Sequence, residues 1–414
     1  MAEISRRAVL FGVGGLLAAG SVAIPVIRGL SSLPDGPELP QPQPLSEPYE
    51  LVATPSGYSG QFPGPLLRVR EGDRVQLAFR NGLDSPTSLH IHGLPLSPAV
   101  DAPLAHLKPG ETDHRDFTIP PGTAGTYWYH PHAHGDVERQ LLMGLAGPII
   151  VDDGRIDADD RLLMITKDLQ VNGVARPVIT PRSGRVRLRL INATAADTLL
   201  LGVLSGSSRQ TFHLIATDGG LIENPVALTE ILLTPGERAE ILVDATSAGR
   251  LELRALPYSV YGPGGAQSDD RLLASLNVPA GLAPIPLPGS MRKIDTPAGS
   301  RTRRLVLNGH GDSMFTINGR TFDHNRVDMQ VASGTTEVWE LVNEHTMDHP
   351  FHLHSYSFQV VDAPFRAWRD TVNVPPGSTV RIVVPFHGPP GRTVYHCHIA
   401  SHEDLGMMGI LEVT

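Results

Sequence analysis

A paired marker recurs three times along this chain, and no other feature constrains its fold as tightly. Alternating β-type runs end in an asparagine at Val75 to Asn81, Val186 to Asn192 and Val338 to Asn343. A Pro-Gly step follows at Pro109-Gly110, Pro235-Gly236 and Pro376-Gly377, each leading into another alternating run and then a glycine at 125, 249 or 391. The same order of turn and strand signals at domain-sized spacing predicts three related units. Short apolar–polar alternation broken by Gly, Pro, Asn and Asp is the pattern of β-sandwiches, and helical periodicity is scarce. The units are expected at about 45–155, 156–282 and 298–414, with the proline-rich stretch Pro279 to Pro297 before the last. A spacer over 31–48, rich in proline, is expected to run extended ahead of the folded sequence.

Counting from these markers locates the chemistry. Nine and eleven residues past each asparagine lie His90 and His92, then Leu201 and Val203, then His352 and His354. Five and seven past each glycine lie His130 and His132, then Arg254 and Leu256, then His396 and His398. The middle unit therefore lacks metal-type residues at every matching slot. In a strand, residues i and i+2 share a face, so each His-X-His pair offers two imidazoles on one side. Eight imidazoles suffice for three metal ions, as three, three and two, provided that units one and three meet.

Cys397, the single cysteine of 414 residues, sits between His396 and His398 and must point to the opposite face. With His349, His402 and Met407 it completes a His2Cys set with an axial methionine, the ligands of a blue-copper electron-transfer site. Met408 is the alternative axial residue, and the ten-residue offset from Cys397 favours Met407. Structural zinc prefers closed four-ligand sites and gains nothing from a thiolate held between two other metals' ligands. His134, two residues past His132, faces the same way and reads as a supporting residue.

The motifs His90-Ile91-His92-Gly93, His130-Pro131-His132, His349-Pro350-Phe351-His352-Leu353-His354 and His396 to Met407 resemble those of three-domain multicopper oxidases, the family of laccases, bilirubin oxidases and bacterial cuprous oxidases. The resemblance covers nearly everything after residue 45. It implies an all-β fold of three consecutive cupredoxin-like Greek-key β-sandwich domains, and four copper ions per chain. By that resemblance His349, Cys397, His402 and Met407 hold a type 1 copper, and His90 and His352 a type 2 copper. His92, His130, His132, His354, His396 and His398 would hold the type 3 pair. Asp101 and Glu403 match acids that assist O2 reduction and relay protons. The implied reaction couples one-electron oxidation of a small, phenol-like reductant at the type 1 copper to four-electron reduction of O2 to water at the trinuclear cluster. Cu(I) or Fe(II) is the alternative donor, and copper-free structural or division-associated periplasmic relatives form the alternative outside enzymes. The chain departs from the cuprous oxidases in having no methionine-rich insertion, only Met291 near the third unit's linker. The neighbourhood Glu344-His345-Thr346-Met347-Asp348 offers Asp348 where relatives carry an acid before the type 1 histidine.

Charge and the N-terminus set the surroundings. A net charge of −9, from 34 basic and 43 acidic residues, with no basic stretch interleaved with aromatics, argues against a nucleic-acid partner. One cysteine permits no internal disulfide. Ser5-Arg6-Arg7 before the uncharged run Ala8 to Ile27 resembles a twin-arginine export signal over residues 1–30. It implies the twin-arginine export machinery as a partner and a periplasmic or secreted location. The run is about 20 residues, long enough to serve instead as a membrane anchor. Oligomeric state is not legible in the sequence.

Overall fold

Each repeated asparagine closes the same corner. The Nδ2 of Asn81 donates to the carbonyls of Ser85 and Leu107, that of Asn192 to Asp197 and Leu233, and that of Asn343 to Met347 and Val374. Each Oδ1 accepts the backbone N–H two residues on, from Leu83, Thr194 and His345. The Pro-Gly glycines donate back to the asparagine carbonyls, Gly110 at 2.8 Å, Gly236 at 2.9 Å and Gly377 at 3.0 Å. A buried amide must find partners for donors and acceptor alike, and here it stitches the end of one strand to two loops. The glycines have φ of +83°, +90° and +67°, a region side chains avoid.

The computed structural model describes residues 36–414 other than residue 312, so the expected export signal over residues 1–30 lies outside the described residues. Its strands form pairs of sheets. The first pair takes strand orders Gly57–Tyr58, Tyr49–Thr54, Arg74–Asn81, Thr112–Thr118 and Leu67–Arg70, Gly147–Asp152, Gly125–His130, His90–His92. The second pair spans strands from Asp159–Ile165 to Arg271–Val278, and the third from Arg301–His310 to Met408–Val413. Non-consecutive neighbours recur throughout, as when Arg301–His310 lies parallel to Thr336–Asn343. Each pair encloses its own apolar core. A further cluster knits all three units, with Trp128 and Val137 from the first, Met164 and Ile191 from the second and Ala400 from the third.

Two expectations need correction. The register of the middle unit shows that the count from Asn192 runs one residue short. His90 lies opposite His130 and His352 opposite His396, whereas Arg254 lies opposite Gly202, because the loop after Asn192 is one residue longer: the Asn192 Nδ2 reaches the Asp197 carbonyl, five residues on, where Asn81 and Asn343 reach Ser85 and Met347, four residues on. Leu201 and Val203 therefore face the middle core, and Gly202 occupies the slot equivalent to His90. The slot remains without a ligand. From residue 36 onward the proline-rich spacer belongs to the folded body. Leu39 is buried in the middle core, its N–H donates to the Val178 carbonyl at 2.7 Å, and Leu45 N–H donates to Leu66. Sparse amides between prolines pair with whatever edge lies nearby, and two leucines give the segment apolar surface to bury. Among the described residues, no helix is long and apolar enough to cross a membrane.

Candidate metal centre

The strands His90–His92 and Gly125–His130 of the first unit face His349–Leu353 and Gly391–Cys397 of the third, and the eight predicted imidazoles converge between them. All are buried. Two nitrogens sharing one ion at 2.0–2.1 Å and a near-tetrahedral angle stand roughly 3.3 Å apart. Three groups show that spacing. His92 Nδ1 lies 3.4 Å from His130 Nε2 and 3.2 Å from His398 Nε2. His354 Nε2 lies 3.0 Å from His396 Nε2, and His132 joins them in a triplet whose ligand atoms fall within 4.8 Å. His90 Nε2 and His352 Nε2 are 3.3 Å apart.

The opposite ring nitrogens are tied down, which fixes the orientation a metal ligand needs. Asp101, ending the short helix Pro98–Asp101 that Ser97 caps, takes His90 Nδ1 on one oxygen at 2.7 Å and His354 Nδ1 on the other at 2.8 Å. Glu403, on the helix Ala400–Asp404, places one oxygen 3.1 Å from His396 Nδ1; its other oxygen lies 3.2 Å from His132 Nε2 without a hydrogen bond, and the His132 ring is held by the Pro103 carbonyl, 3.2 Å from Nδ1. Backbone carbonyls hold His130 (Pro131, 2.9 Å) and His352 (Asp370, 2.9 Å).

Burial sets the charge of the rings. It depresses His130 to about 3 and His132 to about 4, and neighbouring imidazoles add to its effect on His90, His354 and His398. Neutral imidazole is the metal-binding form. At His396 burial acts in the same direction, but the Glu403 charge and hydrogen bond outweigh it and raise the ring above its usual value. Burial likewise opposes ionisation of Asp101 and Glu403, and the surrounding histidines overcome it, holding both carboxyls low.

On the other face of the Cys397 strand, Cys397 Sγ lies 3.5 Å from His349 Nδ1 and 3.6 Å from His402 Nδ1, and those two nitrogens are 3.3 Å apart. Met407 is fully buried in the same core, its carbonyl accepting the Cys397 N–H, and Met408 packs in a different cluster. Phe315 stacks on the His402 ring at 3.7 Å. Burial pushes the Cys397 thiol up and His349 down to about 2, so a cation at the centre of the triad is what would hold the sulfur as thiolate. A thiolate-capable sulfur, two Nδ1 atoms that face it and a buried methionine suit copper.

Residues that sequence reasoning missed complete the centre. Asp370 accepts from His92 Nε2 at 2.9 Å, and both its oxygens are held by Arg238 of the middle unit, at 2.9 and 2.6 Å. That double engagement makes it an orienting group. Gly93, the last residue of the first motif, leaves room for the pair, since a Cβ there would fall 2.1 Å from Arg238 Nη2. Gly236 lies against His398, where a Cβ would come within 2.8 Å of the ring. His345 Nδ1 lies 3.1 Å from His349 Nε2, and its ring is half-buried at the surface. Asp348 is buried instead, bonded to Tyr258 of the middle unit at 2.8 Å, so it does not front the His349 surface. The glycines were the available signals for Arg238 and His398; nothing in sequence separation links Asp370 to His92.

Cupredoxin-like sandwiches that bury imidazole clusters beside a His2Cys triad define a class of copper proteins that move single electrons. Comparison gives the family. Multicopper oxidase domain models match residues 47–155 and 295–414. The chain is 32% identical over 399 residues to multicopper oxidase mco of Staphylococcus haemolyticus, covering 86% of this chain and 83% of that protein. It is also 29% identical to cell division protein FtsP of Yersinia pestis, over 93% of this chain and 92% of that protein. A multicopper oxidase of Campylobacter jejuni described as a metallo-oxidase superposes with a TM-score of 0.84 at 29% identity, over 92% of this chain and 96% of that one. The chain belongs to the multicopper oxidase family. It is a copper-dependent oxidoreductase, with O2 as acceptor and a second substrate as electron donor.

Proposed function

We propose that this protein oxidises a small reductant one electron at a time at the His349–Cys397–His402–Met407 site and reduces O2 to two waters at the eight-histidine centre. The observation that carries the reading is the sorting of eight inward ring nitrogens into three, three and two, joined to the thiol by the peptide His396-Cys397-His398. We assign His90 and His352 to one copper, and His92, His130 and His398 and His132, His354 and His396 to the coupled pair. Four bound coppers supply the four electrons that O2 reduction to water requires. The chain's own part is to bind, orient and move protons. Cys397 and its two neighbours give a covalent path between sites, Asp101 and Glu403 stand ionised within reach of ring N–H groups to accept and return protons, and Trp128, stacked on His130 at 4.2 Å, helps exclude water.

Phenol-like reductants are the proposed donors. A specific observation favours a second reading, Cu(I) or Fe(II): His345 abuts His349 at the surface, and Met314, on the strand that carries Phe315, is 46% exposed. Imidazole and thioether suit soft Cu(I). Oxygen uptake with a phenol, Cu(I) and Fe(II) on wild type and Cys397→Ser separates them: turnover with the phenol alone supports the first reading, and turnover with a metal ion alone the second. Full turnover by the serine variant contradicts both. Export to the periplasm or beyond by the twin-arginine route, and domain limits near 45–155, 156–282 and 298–414, complete the proposal.

A further inference from the structure

Three histidines outside the centre gather at the seam between the first and third units. His106 precedes the strand Thr112–Thr118, His134 follows Gly125–His130, and His324 lies between Met314–Ile317 and Met329–Val331. The rings of His106 and His134 are 5.0 Å apart between centroids, and those of His134 and His324 6.0 Å. The candidate centre supplies a ruler. Rings that share one point there stand 4.7 to 5.6 Å apart in the two triplets and the His90–His352 pair, and 5.1 Å apart for His349 and His402. The His106–His134 spacing falls in that range, and the His134–His324 spacing lies just beyond it, a gap that rotation of the exposed His324 side chain closes.

A second observation points the same way. His134 Nε2 is shut off from solvent and has no hydrogen-bond partner, a state that is costly unless a partner is supplied. Phe322 presents its ring edge-on at 4.6 Å and can supply no acceptor or donor of ordinary strength. On its inner side the His134 ring meets that of His132 at 5.2 Å. The imidazoles thus run from solvent, through His106 and His324, to His134 and the buried triplet.

We propose that His106, His134 and His324 form a further, exchangeable metal site that takes a borderline divalent cation, copper or zinc, at the seam above the eight-histidine centre. Imidazole sets of this kind suit both ions, and access from solvent makes the ion exchangeable where the buried ones are not. Cations entering toward His132 meet this site first.

The test uses the copper-loaded full-length protein dialysed against Zn(II), which is redox-silent, so binding is read apart from turnover. Wild type is expected to hold one more zinc per chain than His106→Ala/His324→Ala, while blue absorption and oxygen uptake stay the same in both. A His213→Ala variant, altered in the middle unit, is expected to hold as much zinc as wild type. Equal zinc in wild type and the double variant overturns the proposal, as does loss of the extra ion in His213→Ala.

Discussion

The middle unit and the outer units share one corner and differ in what they place beside it. All three have the buried asparagine and the Pro-Gly turn, yet a Cβ at Gly110 or Gly377 would meet nothing within 4 Å, while one at Gly236 would strike His398. The outer units supply imidazoles; the middle unit's matching strand supplies Gly202 and core aliphatics. It nonetheless reaches the centre through Gly236 and Arg238, the latter fully buried and bonded to both oxygens of Asp370. Without ligands of its own the middle unit is a buttress, and the geometry of the centre depends on it at one remove.

The largest expected effects sharpen the outer side of this contrast. Asp101→Asn and Glu403→Gln should each slow oxygen uptake by about 10²–10⁴-fold, the range of a positioned proton-transfer group. Bleaching of the blue colour by donor without O2 should change far less, because the two carboxylates lie against histidines of the eight-histidine centre and neither bonds to His349, Cys397, His402 or Met407. Stopped-flow reduction against steady-state uptake separates the two steps.

Next come the buttress residues. Arg238→Met leaves the Asp370 carboxylate buried without its cation, which should cost about 3–5 kcal/mol in denaturant unfolding. Asp370→Asn keeps the shape and should lower copper affinity or turnover about 10–100-fold through His92. If both variants keep wild-type copper content, stability and rate, the middle unit is only a spacer.

The three glycines give a finer comparison. Alanine at Gly110, Gly236 or Gly377 should destabilise by about 1–2 kcal/mol from the left-handed backbone alone. Only Gly236→Ala should also alter the copper spectrum of the eight-histidine centre.

The smallest effect lies at another contact of the middle unit, between Tyr258 and Asp348. Burial raises Asp348 to about 6 in spite of hydrogen bonds from Tyr258 and Asn373. A carboxyl raised on folding stabilises fully below its unfolded pKa, and that contribution is lost as pH rises through about 6. Asp348→Asn should therefore raise the melting temperature at pH 8 and leave it unchanged or lower at pH 4.

How far the sequence spoke follows from what kind of distance each feature spans. The His-X-His pairs, Cys397 and the asparagine corners are set by local periodicity within one strand or turn, so counting found them, and one extra residue in the loop after Asn192 was enough to misplace Leu201 and Val203. Asp101 and Glu403 lie near ligands in the chain and were within reach of motif comparison. Asp370 meets His92 and Arg238 only after three units pack, 278 and 132 residues away from them in the chain. Leu39 and Leu45 were hidden by composition, because prolines marked a spacer where two leucines decided the packing.

Copper content tests the central claim most directly, measured with the visible spectrum on wild type and Cys397→Ser. The account predicts about four coppers per chain and a blue absorption in wild type, and about three coppers with the blue lost in the variant. Wild type that cannot hold about four coppers, or a variant that keeps its blue colour, would contradict it.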